Sequence, residues 1–165
     1  MIRSWQAIVG IGIGTLLACA VPSAEAAEFR GKVFRVVDGD TIEVRHDGRT
    51  DRLRLRGIDC PELKQPYGKQ AKRAVAAMVS GLTVGVKTYG KGSDGTTFAD
   101  VYIDGGRSVA RILLEEGLAW RITSSPSDEQ LDAAEADARY AKRGLWSEPM
   151  PVAPWLYRAS KARRK

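Results

Sequence analysis

The sequence predicts an α+β domain, mainly β: a five-stranded Greek-key barrel with three helices packed against it. Five short segments read as strands, with apolar alternation plainest in Thr41 to Arg45 and Arg52 to Arg56, and three other segments carry apolar residues at helical spacing. The resulting order, βββαββαα with glycine at the bends, suits a small barrel rather than an open sheet.

The elements follow in order. Phe29 to Val37 reads as a strand broken at Asp38-Gly39-Asp40, after which Thr41 to Arg45 resumes with apolar Ile42 and Val44. His46-Asp47-Gly48-Arg49 reads as a hairpin turn, because Asp-Gly accepts the positive φ of a tight reversal. Thr50 to Ile58 then returns antiparallel, and His46 beside the turn is read as a solvated side chain. From Gly68, residues Ala71, Ala74, Val75, Met78 and Val79 form a helical core stripe stopped by Gly81. Leu82 to Tyr89 and Thr97 to Ile103 are strands joined by GKGSDGT. A second helix starts near Ser108 and stops at Gly117. Ser127 to Gln130 reads as a capping box for a third, with Leu131, Ala134, Ala138 and Ala141 on one stripe and Gly144 at its end.

The length of 165 residues and the 44% hydrophobic content suit one domain. Residues 1–26 have a charged start, a short apolar run and an Ala24-Glu25-Ala26 cleavage site, so a signal peptide is expected. The run is too short for a bilayer crossing, which needs about 18–20 residues. The alternative is a lipoprotein anchored at Cys19, since Leu16-Leu17-Ala18-Cys19 resembles a lipobox. The domain is then 27–149, followed by a Pro-containing, frayed basic C-terminal tail over 150–165. The net charge of +6 favours a polyanionic partner. Signal removal leaves Cys60 alone, which excludes an internal disulfide, and a single histidine argues against zinc sites and Ser-His triads.

The stretch RLRLRGIDCPE, from Arg52 to Glu62, holds the candidate chemistry. Alternation puts Leu53 and Leu55 inward and Arg52, Arg54 and Arg56 outward. Arg54 can share a site with Asp59 and Glu62 only if the strand bends between them, and Gly57 is the natural corner. With Asp40 at the same rim, two carboxylates and backbone oxygens would make a pocket for a hard cation such as Ca²⁺. A cation and a guanidinium on a phosphate, with a carboxylate for water, are the parts of phosphodiester cleavage. The bland alternatives are a solvated strand face and turns that use Asp and Gly for backbone reasons.

VVDGDTIEV, RLRGIDCPE, FADVYIDG, EEGLAW and AKRGLWSEP together resemble the thermonuclease family, typified by staphylococcal nuclease, over nearly all of the chain after residue 26. The resemblance implies an oligonucleotide-binding (OB) barrel with added helices. It also implies Asp40, Asp59 and the backbone oxygen of Cys60 as Ca²⁺ ligands, with Arg54 and Glu62 as catalytic residues. The implied activity is hydrolysis of single-stranded DNA and RNA, leaving 3′-phosphate ends. A monomer is expected.

One departure stands out. The family usually carries a second arginine in a loop of the form DRYGRTVADVY, whereas this chain reads GSDGTTFADVY and places Thr96 there. Asp94 replaces an aromatic position, and Thr123 stands where the typical enzyme has tyrosine. Reduced activity is expected unless Lys91, Arg107 or Arg56 substitutes. The alternative function is a catalytically impaired barrel that binds nucleic acid or another polyanion. Tyr89, Trp120 and Tyr157 are read as packing residues rather than as a base-stacking platform.

Overall fold

The structure, a computed structural model, describes residues 27–123 and 127–163. The expected export signal over 1–26 and the lipidation site at Cys19 lie outside the described residues.

Three antiparallel strands open the fold: β1 (Glu28–Val36), β2 (Thr41–His46) and β3 (Arg49–Leu55). The two-residue turn between β2 and β3 uses Asp47 at φ 47° and Gly48 at φ 74°, the positive values that such a reversal needs. β5 (Thr83–Lys91) pairs antiparallel with β1 and with β6 (Thr97–Ile103). β3 then meets β6 in parallel, Arg54 opposite Phe98, which closes a five-stranded barrel. The short β7 (Arg107–Ser108) folds back antiparallel on β6, while β4 (Ile58–Asp59) pairs separately with β8 (Trp120–Arg121).

Helices α1 (Gly68–Val79), α2 (Val109–Glu115) and α3 (Glu129–Tyr140) cover the barrel. Ile42, Val44, Leu53, Leu55 and Ile58 from the strands, Val75 and Val79 from α1, and Leu113 and Leu114 from α2 belong to one buried cluster. Ser108 caps α2, accepting from the Arg111 N–H at 3.3 Å.

Three local features differ from the sequence reading. The cap of α3 is Asp128, whose carboxylate accepts from the N–H groups of Gln130 and Leu131, one residue beyond the expected Ser127. His46 is buried rather than solvated. Its ring stacks on Phe29 at 3.6 Å between centroids and meets the Asp51 carboxylate at 2.5 Å, because the residue ends β2 facing inward. The segment read as frayed forms a fourth helix, α4 (Pro154–Ala162), with Pro in its first turn, where the missing N–H costs no hydrogen bond.

Candidate active site

The barrel's register brings the sequence's acids and arginine together at one rim. Asp40 ends the break between β1 and β2, in which its own N–H donates to Asp38 Oδ1 at 3.1 Å. Thr41 pairs with Arg54 across the β2–β3 ladder, and the Leu55 N–H donates to the Asp40 carbonyl at 2.8 Å. The chain turns at Gly57, φ 81°, a left-handed value that a side chain would strain. The turn sets Asp59 on β4, facing back toward Arg54.

The Arg54 guanidinium lies 3.3 Å from Asp59 Oδ1 and 3.7 Å from Asp40 Oδ1. Both carboxylates are nearly sealed from solvent, Asp40 at 4% exposure and Asp59 at 3%. Asp40 accepts from the Thr41 hydroxyl at 2.9 Å and from the Cys60 N–H at 2.9 Å. Even so, its pKa is pushed up to about 7. Burial is the main cause, Arg54 opposes it, and the Asp38 and Asp59 charges reinforce it. Cys60 is buried, its Sγ–H donating to the Gly39 carbonyl at 3.2 Å, and burial pushes its thiol well up.

Glu62 is held by a reciprocal pair with Gln65. The Glu62 N–H donates to Gln65 Oε1 at 2.8 Å, and the Gln65 N–H donates to the Glu62 carbonyl at 2.7 Å. The Glu62 side chain is 41% exposed and points into the same cleft, a space of about 190 Å³ lined by Asp38, Asp40, Arg54, Asp59, Cys60 and Glu62 among others. A larger cavity, about 350 Å³, lies between β6–β7 and α2–α3 and contains none of these residues.

Arg158 of α4 also lines the cleft, and sequence reasoning missed it. Its guanidinium donates to Asp59 Oδ2 at 2.7 Å, to Asp59 Oδ1 at 3.2 Å and to Glu62 Oε1 at 2.8 Å. The hydrogen bond to Asp59, with that to Glu62, raises its pKa further above the usual arginine range. A basic tail gave no signal for this. The only hints were Pro154 ahead of Trp155, which could have marked a helix start.

None of the three sequence-proposed substitutes lines the cleft. Arg56 forms a fork with Asp100, at 3.0 Å on each oxygen, and lies 4.2 Å over the Tyr89 ring. Arg107 faces the larger cavity, and Lys91 is exposed at the end of β5. Thr96 is buried, and its N–H donates to Asp94 Oδ1 at 3.0 Å. This contact holds the Asp94 carboxyl below its usual value. The Tyr89 hydroxyl donates to Asp100 at 2.7 Å, and Trp120 packs edge-on against Trp146 and Trp155.

The donor set suits a hard divalent cation: oxygen ligands only, and a buried carboxyl that is costly to ionise without a cation beside it. Among the described residues no three His, Cys, Asp or Glu side chains form a ligand cluster.

A closed OB-type barrel whose rim gathers paired carboxylates, an exposed glutamate and guanidinium groups defines a class of phosphate-directed hydrolases. Residues 52–148 match the family described as staphylococcal nuclease homologue, and the chain belongs to that nuclease family. It is 38% identical over 135 residues to an "Uncharacterized endonuclease" of Escherichia coli O157:H7, covering 82% of this chain and 88% of the relative. It is 35% identical over 163 residues to the "Micrococcal nuclease" of Shigella flexneri, covering 92% of each. The "Staphylococcal-like nuclease CAN1" of Arabidopsis thaliana is 37% identical over 110 residues, 67% of this chain and 34% of that one.

Proposed function

We propose that the protein is an exported, Ca²⁺-dependent nuclease that hydrolyses phosphodiester bonds of single-stranded DNA or RNA. The observation that carries the reading is the position of Arg54, whose guanidinium reaches both buried carboxylates in a cleft shared with Glu62.

Asp40 and Asp59 would hold the cation, with the backbone oxygen of Cys60 as a further donor. Bound calcium supplies a Lewis acid for a non-bridging phosphate oxygen. Arg54 donates its two-pronged fork to the scissile phosphate and stabilises the charge that grows there as water adds. Glu62, part-exposed at the mouth, orients the attacking water and takes its proton on a carboxylate oxygen. The P–O5′ bond opposite the water then breaks, and the departing 5′-oxygen takes a proton from solvent, leaving a 3′-phosphate and a 5′-hydroxyl. The burial of Asp40 favours this reading, because a cation at its oxygens relieves the cost of ionising it. Export is supported by the signal-like residues 1–26.

A second reading, nucleic-acid binding without turnover, is favoured by the β5–β6 loop, where Thr96 and an ionised Asp94 stand in place of the family's arginine. The test incubates the protein lacking residues 1–26 with single-stranded DNA in calcium and in chelator. Cleavage in calcium alone, abolished by Glu62→Gln, supports the enzyme. Salt-sensitive binding with no cleavage beyond that variant supports the alternative.

A further inference from the structure

We propose that Arg158 is the second phosphate-binding guanidinium of this cleft, delivered by the C-terminal helix α4 rather than by the β5–β6 loop. The inference rests on the nuclease reading above and adds a residue that lies beyond the segment 52–148 matched to the family.

The loop cannot supply the group. It is closed on itself by Gly92 N–H to the Thr96 carbonyl at 2.7 Å and Gly95 N–H to the Gly92 carbonyl at 3.0 Å, and it carries an acid rather than a base toward the site. Among the described residues, two cations line the cleft, Arg54 and Arg158. They approach one atom from different elements: Arg54 lies 3.3 Å and Arg158 3.2 Å from Asp59 Oδ1. A phosphate entering there meets two forks.

The placement of Arg158 is built in. The Gln65 side chain, buried and already bonded to the Glu62 N–H, donates through Nε2 to the Val152 carbonyl at 3.1 Å. Ala153 and Pro154 are buried, and Trp155 packs edge-on against Trp120, with ring centroids 5.8 Å apart. Trp120 is the β8 residue paired with Asp59. Trp155 and Arg158 are three residues apart on α4, neighbours on one helix face. The turn that holds Glu62 and the strand that holds Asp59 therefore both fix the helix that carries Arg158.

Without substrate the guanidinium rests on Asp59 and Glu62. Its side chain is 44% exposed, and that of Glu62 41%, so exchange of the Glu62 contact for a phosphate oxygen gives up little.

The test compares Arg158→Ala and Arg158→Lys with the protein lacking residues 1–26, in calcium-dependent cleavage and in binding of a single-stranded oligonucleotide in chelator. The expected result for Arg158→Ala is a fall in kcat of about 10²-fold or more with the fold retained in thermal melts. Its log–log salt slope for binding should fall by about 0.7, the effect of one lost phosphate contact. Arg158→Lys should recover binding but not rate, because it keeps charge without the fork. Cleavage by Arg158→Ala at the parent rate overturns the inference. A faster rate also overturns it, showing α4 to be a plug on the carboxylates. If the parent cleaves and Glu62→Gln silences it while Arg158→Ala does not, only this inference fails. If the parent shows no calcium-dependent cleavage, the reading of the site fails first and takes this inference with it.

Discussion

The Cys60 N–H donates to Asp40 Oδ2 at 2.9 Å, a bond that joins two segments twenty residues apart and fixes one buried carboxylate against the strand that carries the other. That carboxyl is costly to ionise. The folded pKa, about 7, lies above the ordinary aspartate value of 3.8, so between those values the folded state binds the proton more tightly. Without metal, the contribution of Asp40 to stability therefore falls as pH rises from about 4 to about 7, and stays low above that. Asp40→Asn, which keeps an acceptor for the Cys60 N–H, should raise Tm in chelator at pH 8 by several degrees. The gain should shrink at pH 4 to 5. The same variant should lose calcium uptake in titration calorimetry. A lower Tm at pH 8 would contradict the assigned burial cost.

Arg56 should matter to stability and not to cleavage. Its fork to Asp100, with the Tyr89 ring beneath it and the Tyr89 hydroxyl on the same carboxylate, ties the end of β3 to β5 and β6. Arg56→Ala strands a half-buried aspartate, which should cost about 1–3 kcal/mol in chemical denaturation. Cleavage at a temperature well below Tm should stay within about threefold of the parent. A hundredfold loss of rate would place Arg56 in the chemistry.

The two arginines show what sequence could and could not convey. Alternation placed Leu53 and Leu55 in the core, and the glycine corner explains how Arg54 and Asp59 face one another despite odd spacing. Nothing in RLRLR separates Arg54 from Arg56, because their partners, Asp40 at the break before β2 and Asp100 on β6, are brought in by the registers of the β2–β3 and β3–β6 ladders. The burial of His46 is hidden for a related reason: its neighbours in sequence are a turn, while its neighbours in space are Phe29 and Asp51. Arg158 was invisible because α4 takes its position from Gln65 and Trp120, contacts made 87 and 35 residues away along the chain.

Gly68 holds the Glu62 turn by being small. A Cβ there would come within 2.0 Å of the Glu62 carbonyl oxygen, a clash with backbone that no rotamer relieves. Gly68→Ala should therefore shift the Glu62 turn, lowering both Tm and kcat. Gly48→Ala is the control. It strains φ at 74° but meets nothing within 4 Å, so it should cost about 1 kcal/mol and leave the rate unchanged. Equal rates for Gly68→Ala and the parent would show that Glu62 tolerates displacement.

Trp155 should act on the site through α4 alone. Its ring packs on Trp120 and does not line the cleft, and it is 41% exposed, so its removal leaves no large cavity. Trp155→Ala should lower Tm by a few degrees and reduce kcat by loosening the helix that presents Arg158. Since both substitutions withdraw the same guanidinium, Trp155→Ala combined with Arg158→Ala should cleave no more slowly than Arg158→Ala by itself. Additive losses would mean that Trp155 acts through Trp120 and the Asp59 strand instead. Arg158→Ala should leave the Trp120–Trp155 contact intact, so tryptophan fluorescence should change in the first variant and hold steady in the second, separating loss of the tether from loss of the charge.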